Sequence, residues 1–322
     1  MSTELGVVVV NYRTAGLTVD CLRSLAPEVA AHPGTHVVVV DNGSGDGSLE
    51  RIAAAIEAGG WGGWARAVAA GGNRGFSAGN NVGLRLLLDA AAPPGPPDWL
   101  WLLNPDTLVR PGAVRALLAL GRARPRAGVV GSRLEHEDGT PQRPTFRFPS
   151  LPGELDRGLR FGPLSRWLGA HAAGALPAEA CRVDWVSGAS LLVRRQVLEE
   201  VGLMDERFFL YFEEVDLCRR AARAGWERWY EPAARVVHLE GQATGVSFDV
   251  SRRRTSPWIL ESRRRYLVKH HGLAYAALAD LTWVAAHLAW RLGTRLQGRR
   301  LPVAPHLLAD FLSHSVLRRG RA

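Results

Sequence analysis

The sequence predicts an α/β protein with a mostly parallel central sheet flanked by helices and a helical tail at the C-terminus. Three observations carry the prediction. Short apolar runs alternate with helix-period segments through the first half of the chain. The run Trp99-Leu100-Trp101-Leu102-Leu103 is apolar at every position, as in a strand covered on both faces. It then closes on Asn104-Pro105-Asp106, a carboxylate just beyond the carboxyl end of a central strand, where open α/β sheets bind their ligands.

The elements follow in order. Leu5 to Asn11 reads as a strand, Leu17 to Ala26 as a helix, His36 to Asp41 as a strand and Gly47 to Glu57 as a helix. A short strand at Ala67-Val68-Ala69-Ala70, a helix from Ser77 to Ala91 and the strand ending at Asn104 complete an alternation that implies parallel β-α-β units with right-handed crossovers. Pro93-Pro94-Gly95-Pro96-Pro97 is a stiff connector inside this unit. Pro111 to Arg124 reads as a helix with proline in its first turn. From Leu134 to about Ala180 the pattern loosens, so residues 134–180 are expected to form an irregular region over the site. Order returns at Val183 to Val193, followed by a helix over Arg195 to Val201.

These patterns divide the chain into a domain over residues 1–255 and a helical extension over 256–322. Within the tail, Leu273 to Leu296 is interrupted by Asp280, His287 and Arg291, so its unbroken apolar stretch falls short of the roughly 20 residues that cross a bilayer. Tyr275, Trp283 and Trp290, with Arg291, Arg295, Arg299 and Arg300 behind them, suit a helix lying in a membrane interface. They suit equally a helix packed on the rest of the chain or on a partner subunit, a homodimer included.

Composition sets outer limits. The net charge of +9 is almost wholly arginine, since Lys269 is the only lysine, and it accompanies the Ala, Gly and Pro expected of a GC-rich coding sequence. Such a surface favours anionic partners: nucleotide phosphates, lipid head groups or nucleic acid. No nucleic-acid-binding motif supports the last of these. Cys21, Cys181 and Cys218 are widely spaced without a CxxC pair, which indicates neither a disulfide framework nor a zinc site and fits a reducing cytoplasm. The start of the chain runs straight into Val7-Val8-Val9-Val10 with no basic leader or cleavage site, and so reads as a strand rather than a signal peptide.

Five places could carry chemistry. Asp41 begins Asp41-Asn42-Gly43-Ser44-Gly45-Asp46-Gly47, where a carboxylate could accept a hydrogen bond from the imide N–H of uracil or thymine, or could simply be a turn residue. Gly71 to Asn81 is a glycine-rich turn into a helix; without the GxGxxG spacing after the first strand it does not support a dehydrogenase-type dinucleotide site. Arg74 and the amides around Asn73 there could hold a diphosphate, and Ser77 could equally be a plain helix cap. Asp106 suits a hard divalent ion such as Mg²⁺ or Mn²⁺, which demands oxygen ligands and would neutralise a departing nucleotide diphosphate. Glu213, Glu214 and Asp216 follow a bulky aromatic run at a helix start: the helix dipole lowers their basicity, and apolar surroundings with a neighbouring acid raise it, so either glutamate could serve as a general base. His238 ends another short strand, where a neutral imidazole could complete a metal site.

Taken together and in order, Val9-Val10-Asn11-Tyr12, Val40-Asp41-Asn42-Gly43-Ser44, Asn73-Arg74-Gly75-Phe76, Leu103-Asn104-Pro105-Asp106-Thr107, Trp185-Val186-Ser187-Gly188-Ala189, Asp205 to Cys218 and His238 closely resemble the inverting family 2 glycosyltransferases of GT-A fold, with the bacterial rhamnosyltransferase-like branch nearest. The match covers residues 5 to about 270. The resemblance implies a GT-A catalytic domain in which Asp41 contacts the nucleotide base with Asn11 beside it. Asn104-Pro105-Asp106 stands where the family has its Asp-x-Asp motif, with Asp106 as metal ligand and His238 as a second. This chain has Glu213-Glu214 where relatives usually have Glu-Asp; Glu214 matches the position of the base, and its extra methylene leaves Glu213 able to take the role. Trp185, Ser187 and Gly188 would belong to the acceptor or sugar pocket, although Trp185 fits a core position as well.

The implied activity is direct displacement without a covalent sugar intermediate. A sugar, with L-rhamnose the best single choice, would move from a dTDP- or UDP-linked donor to a hydroxyl of a cell-envelope glycan or polyprenyl-linked acceptor. The implied location is the cytoplasm, peripheral to the inner face of the plasma membrane. The competing reading keeps the fold and removes turnover: a nucleotide-sugar-binding protein in which the altered Asp-x-Asp and Glu-Glu sites no longer work.

Overall fold

The structure, a computed structural model, describes residues 4–91, 95–142, 145–162, 177–239, 254–298 and 304–320. It separates into two compact units: Met1–Phe146 with Leu176–Phe209 and Glu213–Gly245, and Arg147–Ala175 with Leu210–Phe212 and Val246–Ala322. The second unit therefore takes in 147–175 and 210–212 in addition to the tail.

The first unit begins with the expected alternation: β1 (Leu5–Asn11), α1 (Ala15–Ala31), β2 (Thr35–Asp41), α2 (Ser48–Ala58), β3 (Ala65–Ala69), α3 (Phe76–Leu88) and β4 (Trp99–Leu103). Runs of valine make β1 and β2 stiff and strand-prone, and every residue of β1 and β4 is buried. Gly79 and Gly83, one helical turn apart, let α3 lie close on β1, since a Cβ at these positions would fall 2.8 and 2.5 Å from methyls of Val10 and Val8. α1 runs past the expected stop at Ala26, through Pro27, because Leu25 and Val29 continue its buried face.

Beyond β4 come β5 (Thr107–Val109), α4 (Ala113–Ala123), β6 (Ala127–Glu135), β7 (Thr145–Phe146), then β8 (Cys181–Arg182), β9 (Trp185–Val186) and β10 (Ser190–Arg194). The helix α5 (Leu151–Leu159), in the second unit, lies between β7 and β8 in sequence. α6 (Arg195–Val201), α7 (Glu213–Arg223) and β11 (Glu227–His238) follow β10. Pro111 does not sit in the first turn of α4; it precedes the cap residue Gly112, and the carboxylate of Glu28 accepts the Gly112 and Val114 amides at 2.7 and 2.9 Å instead. Residues 134–180 are not uniformly irregular either, since β6 extends to Glu135 and α5 forms with a Ser150 cap; 163–176 lie outside the described residues.

The main sheet has the order β3-β2-β1-β4-β10-β6-β11-β5, with β8 alongside β11. It is parallel from β3 through β4 and mixed beyond, because β10 runs antiparallel to both β4 and β6 while β6 and β11 are parallel to each other. The consequence for function is geometric. β1, β2 and β4 deliver Asn11, Asp41 and Asn104 to one edge, β10 starts at that edge with Ser190 opposite Leu103, and β11 ends there with His238 opposite Thr107 of β5.

The second unit is built on α8 (Pro257–Leu296), broken at Gly272 where φ is +83°, with α9 (Leu307–His314) and α10 (Val316–Arg319). Its length and mean hydropathy would allow a membrane crossing, which the interrupting charges in the sequence argue against. One face of the helix is packed: Asp280 is buried and accepts from Arg263 Nη1 at 2.6 Å, while Arg263 Nε reaches Glu154 of α5 at 3.1 Å. The other Asp280 oxygen accepts the Val316 amide at 2.9 Å. Removing one partner of such a buried pair strands the other charge, so Asp280→Ala is expected to cost this unit about 3–5 kcal/mol, seen as a urea transition at lower concentration than in the wild type.

Candidate active site

Two loops meet at the ends of β1 and β2. Asn11 donates from Nδ2 to Asp41 Oδ1 at 2.7 Å and to Ser44 Oγ at 3.1 Å, while its Oδ1 accepts from Thr14 and Thr18. Asp41 also takes the Ser44 amide on Oδ2. Asn11 thus orients the Asp41 carboxylate, and Ser44, not singled out in the sequence, is its second partner. Asn42 spans to the next loop, donating to Asn73 Oδ1 at 3.2 Å and the Gly75 carbonyl at 3.1 Å. The loops press together so closely that a Cβ on Gly43 would lie 2.6 Å from the Asn73 nitrogen, and one on Gly75 would lie 2.4 Å from the Phe209 oxygen; both residues have positive φ.

Arg74 does not join the carboxylate cluster. Its guanidinium is mostly exposed and pairs with Glu206 at 2.8 Å, and Glu206 also holds Arg85 and Asn81. Surface pairs of this kind contribute roughly 0–1 kcal/mol, so the pairing is a weak tether.

At the end of β4, Asp106 is 2% exposed, and His238 brings Nε2 to 3.5 Å from its Oδ1. The short strand β5 makes this possible: Thr107 pairs with His238, and the Leu239 amide donates to the Asp106 carbonyl at 2.9 Å. The end of β11 is fixed further by Gln142, which donates to the His238 carbonyl, and by Glu135, fully buried and bound by Arg110 and Arg235. Asn104 Oδ1 is buried with no hydrogen-bond partner among the described residues. A carboxylate, an imidazole and an unpartnered amide oxygen form a donor set suited to a divalent ion such as Mn²⁺, with Mg²⁺ favouring the oxygens. Among the described residues no three His, Cys, Asp or Glu side chains cluster to hold a metal alone, so further ligands would come from a bound phosphate or water.

The acids of α7 separate into two kinds. Asp216 is buried and paired with Arg220 at 2.8 Å, and Arg220 in turn donates to the carbonyls of Val201, Gly202 and Leu203. That is an anchor for the helix. Glu213 and Glu214 have no ion-pair partner among the described residues, and each keeps one buried carboxylate oxygen without a hydrogen bond. Burial pushes Glu214 up to about 7, against backbone N–H groups of Glu214, Val215 and Gly188 that favour its ionised form. Glu213 is raised well above the ordinary carboxylate range, by burial first and by the Glu214 charge second.

Gly188 connects this helix to the sheet edge. A Cβ added there would touch the Glu214 side chain at 3.6 Å, and the neighbouring Ala189 accepts the Asn104 amide at 3.0 Å. Ser187 turns the chain here by accepting the Ala189 amide, and Trp185, half-buried in β9, lies just before it. Asn11, Asp41, Asn73, Asn104, Asp106, Gly188 and His238 therefore belong to one edge of one sheet or to loops next to it, and Glu214 at the start of α7 adjoins Gly188.

A mixed sheet of this order, flanked by helices and with Asn11, Asp41, Asn104, Asp106 and His238 at its carboxyl edge, fits the GT-A glycosyltransferase fold. The profile of the family described as "Glycosyltransferase like family 2" matches residues 3–260, and the chain belongs to this family. It is 33% identical over 328 residues to N-acetylglucosaminyl-diphospho-decaprenol L-rhamnosyltransferase of Mycobacterium tuberculosis, spanning 100% of this chain and 96% of that protein. Among solved structures it resembles mannosyltransferase PcManGT from Pyrobaculum calidifontis in complex with GDP-Man and Mn²⁺, with a TM-score of 0.56 and 17% identity over 99% of this chain and 83% of that one. It also resembles GalNAc-T7 with UDP, GalNAc and Mn²⁺, with a TM-score of 0.54 and 15% identity over 97% and 54% of the two chains.

The raised glutamate carries a stability consequence. A carboxyl whose folded pKa lies above its unfolded value supports the fold fully below that unfolded value, 4.5 here, and loses this support as pH rises through about 7. Glu214→Gln removes the ionisation, so the variant is expected to be more stable than wild type at pH 8 by roughly 1–3 kcal/mol, given ~1.4 kcal/mol per pKa unit. At pH 4 the two should melt together in calorimetry.

Proposed function

We propose that this protein is an inverting transferase that moves a sugar from a dTDP- or UDP-linked donor to a hydroxyl of a lipid-linked, cell-envelope glycan acceptor, with L-rhamnose as the sugar. The observation that carries the reading is the convergence on one sheet edge of the Asp106-His238 pair and of Glu214, whose carboxyl titrates near neutrality. Support for the sugar and the acceptor comes from the mycobacterial relative, whose name specifies both L-rhamnose and a decaprenol-linked substrate.

In this reading Asp41, held by Asn11 and Ser44, accepts the imide N–H of the donor's base. The packed loops 42–44 and 73–75 offer amides to ribose and diphosphate, and Arg74 can swing from Glu206 toward the diphosphate at little cost. Asp106 and His238, with Asn104 beside them, would hold a divalent ion, which supplies Lewis-acid stabilisation of the diphosphate as it leaves. Glu214 takes the proton from the acceptor hydroxyl, whose oxygen then attacks the anomeric carbon from the face opposite the leaving group. Glu213, buried beside Glu214 and raised by burial and by its neighbour's charge, is assigned the protonated role that keeps a second negative charge out of the site. Trp185, Ser187 and Gly188 form the wall next to the base and face the sugar or acceptor.

The test is release of nucleoside diphosphate from dTDP-L-rhamnose and from UDP-sugars, with a polyprenyl-diphosphate-linked sugar as acceptor and Mn²⁺ or Mg²⁺ present. Glu214→Gln is expected to lower kcat by about 10²–10⁴ while donor binding, read by thermal shift, persists. Glu213→Gln should retain most of the rate; if Glu213→Gln were the dead variant and Glu214→Gln the active one, the roles assigned here would be reversed. Asp106→Asn and His238→Ala should both weaken the Mn²⁺-dependent part of donor binding. In the wild type kcat/KM should rise with pH and level off above about 7, as Glu214 becomes ionised. A wild-type protein that binds donors yet releases no diphosphate with any acceptor would instead be the turnover-deficient binder.

A further inference from the structure

The part of α8 that follows Gly272 is apolar on two opposite faces, and only one of them is used. Ala276, Ala279, Trp283 and Ala286 are buried within the second unit, where a Cβ on Gly158 of α5 would meet Ala286 at 2.6 Å and Trp283 stacks on Phe311 of α9 at 3.9 Å. On the other face Leu278, Leu281, Leu288, Leu292 and Leu296 are 50, 52, 48, 61 and 80% exposed. Their spacing keeps them in one stripe of a 3.6-residue helix, about 27 Å long at 1.5 Å per residue. An uncovered leucine row of this length marks an interaction surface.

What covers it is indicated by charge. Arg291 and Arg295 are exposed along one border of the stripe and have no acidic partner among the described residues. The only acid in this half of the helix, Asp280, is buried against Arg263. A second copy of the chain laid on the same stripe would set arginines near arginines or near the uncharged stretch around Leu278 and Leu281, with no carboxylate to meet them. The stripe also runs into a cleft of about 1080 Å³ between the end of α8 and α9, where Leu288, Leu292, Leu307 and Leu312 provide apolar walls and Arg291 and His306 provide polar ones. His287 lines the same cleft; it is 1% exposed, and neither ring nitrogen has a hydrogen-bond partner among the described residues.

We propose that this face of α8 seats the protein on an anionic phospholipid bilayer. The leucines enter the boundary between head groups and acyl chains, and Arg291 and Arg295 extend their stems over that apolar zone to reach lipid phosphates. The helix lies in the interface rather than crossing it, because its other face is occupied by α5 and α9. This inference goes beyond the transferase reading and does not depend on which sugar is moved or on whether turnover occurs.

The full-length protein is to be sedimented with phosphatidylcholine vesicles and with vesicles of phosphatidylcholine mixed with phosphatidylglycerol. Binding to the anionic vesicles is expected to be tighter by about tenfold or more and to weaken with salt, since each basic residue at the surface adds to the attraction. The double variant Leu288→Glu/Leu292→Glu should no longer sediment with either vesicle, and Arg291→Gln/Arg295→Gln should lose the anionic preference while keeping weak binding. Both pairs lie at exposed positions, so circular dichroism and melting temperature should match the wild type; the arginine pair alone still decides the matter if the leucine pair fails to fold. A wild-type protein that stays in solution with anionic vesicles overturns the proposal. So does a dimer in lipid-free light scattering that Leu292→Glu dissociates without any change in vesicle binding.

Discussion

The antiparallel insertion of β10 between β4 and β6 is the constraint on which the rest of the site depends. With β10 running against β4 and Ser190 opposite Leu103, the start of β10 is forced to the edge where β4 ends. The Asn104 amide then bonds to Ala189, and Gly188 becomes the surface on which Glu214 rests. A parallel strand at this position would place its start at the opposite edge, about 15 Å away for a five-residue strand at 3.3 Å per residue. An acid and a prospective metal pair would then face different ends of the sheet. The same logic applies at the far side: β5 is only three residues long, yet its antiparallel pairing with β11 is what puts His238 beside Asp106.

How much of this could be read from the chain depends on which physical signal each feature leaves. The strands β1, β2 and β4 announce themselves as unbroken apolar runs, and the helices between them by their period, so this half of the fold and its parallel direction were legible. The positions of Asp41, Asn104 and Asp106 at the sheet edge were legible because each closes one of those runs. Strand direction beyond β4 was not, since an apolar run such as Ser190 to Arg194 has the same pattern in either orientation and only its neighbours determine which it adopts. The three-residue β5 is too short to show any periodicity and left no signal in the sequence. Ser44 and Asn42 lay inside a loop whose Gly, Ser and Asn content explains flexibility as readily as a built hydrogen-bond network. The tether from Arg74 to Glu206 joins residues 132 apart in sequence, a distance over which charge pattern says nothing. The sequence singled out Glu213 and Glu214 as candidate bases without a role for Asp216, and the pairing with Arg220 is what marks Asp216 as the anchor of the helix.

The unpaired glutamates are costly features that the surrounding structure sustains. Two neighbouring carboxyls in a buried position cannot both ionise cheaply, and among the described residues neither is offset by a cation. The chain enters α7 through Tyr211 and Phe212, both at positive φ of +70° and +68°, a conformation that side chains of this size rarely adopt. Backbone strain of this kind amounts to roughly 1–3 kcal/mol per residue and persists where the surrounding structure over-determines it. Strain and an uncompensated acid pair at the same place mean that a stabilising substitution is easy to find there: a neutral Gln, or a glycine at 211 or 212, relieves one or the other. That the chain retains both costs at adjoining positions is the pattern expected where a group must keep its proton affinity near neutrality, since any cation close enough to remove the electrostatic cost would also drag the carboxyl back to an ordinary, weakly basic value.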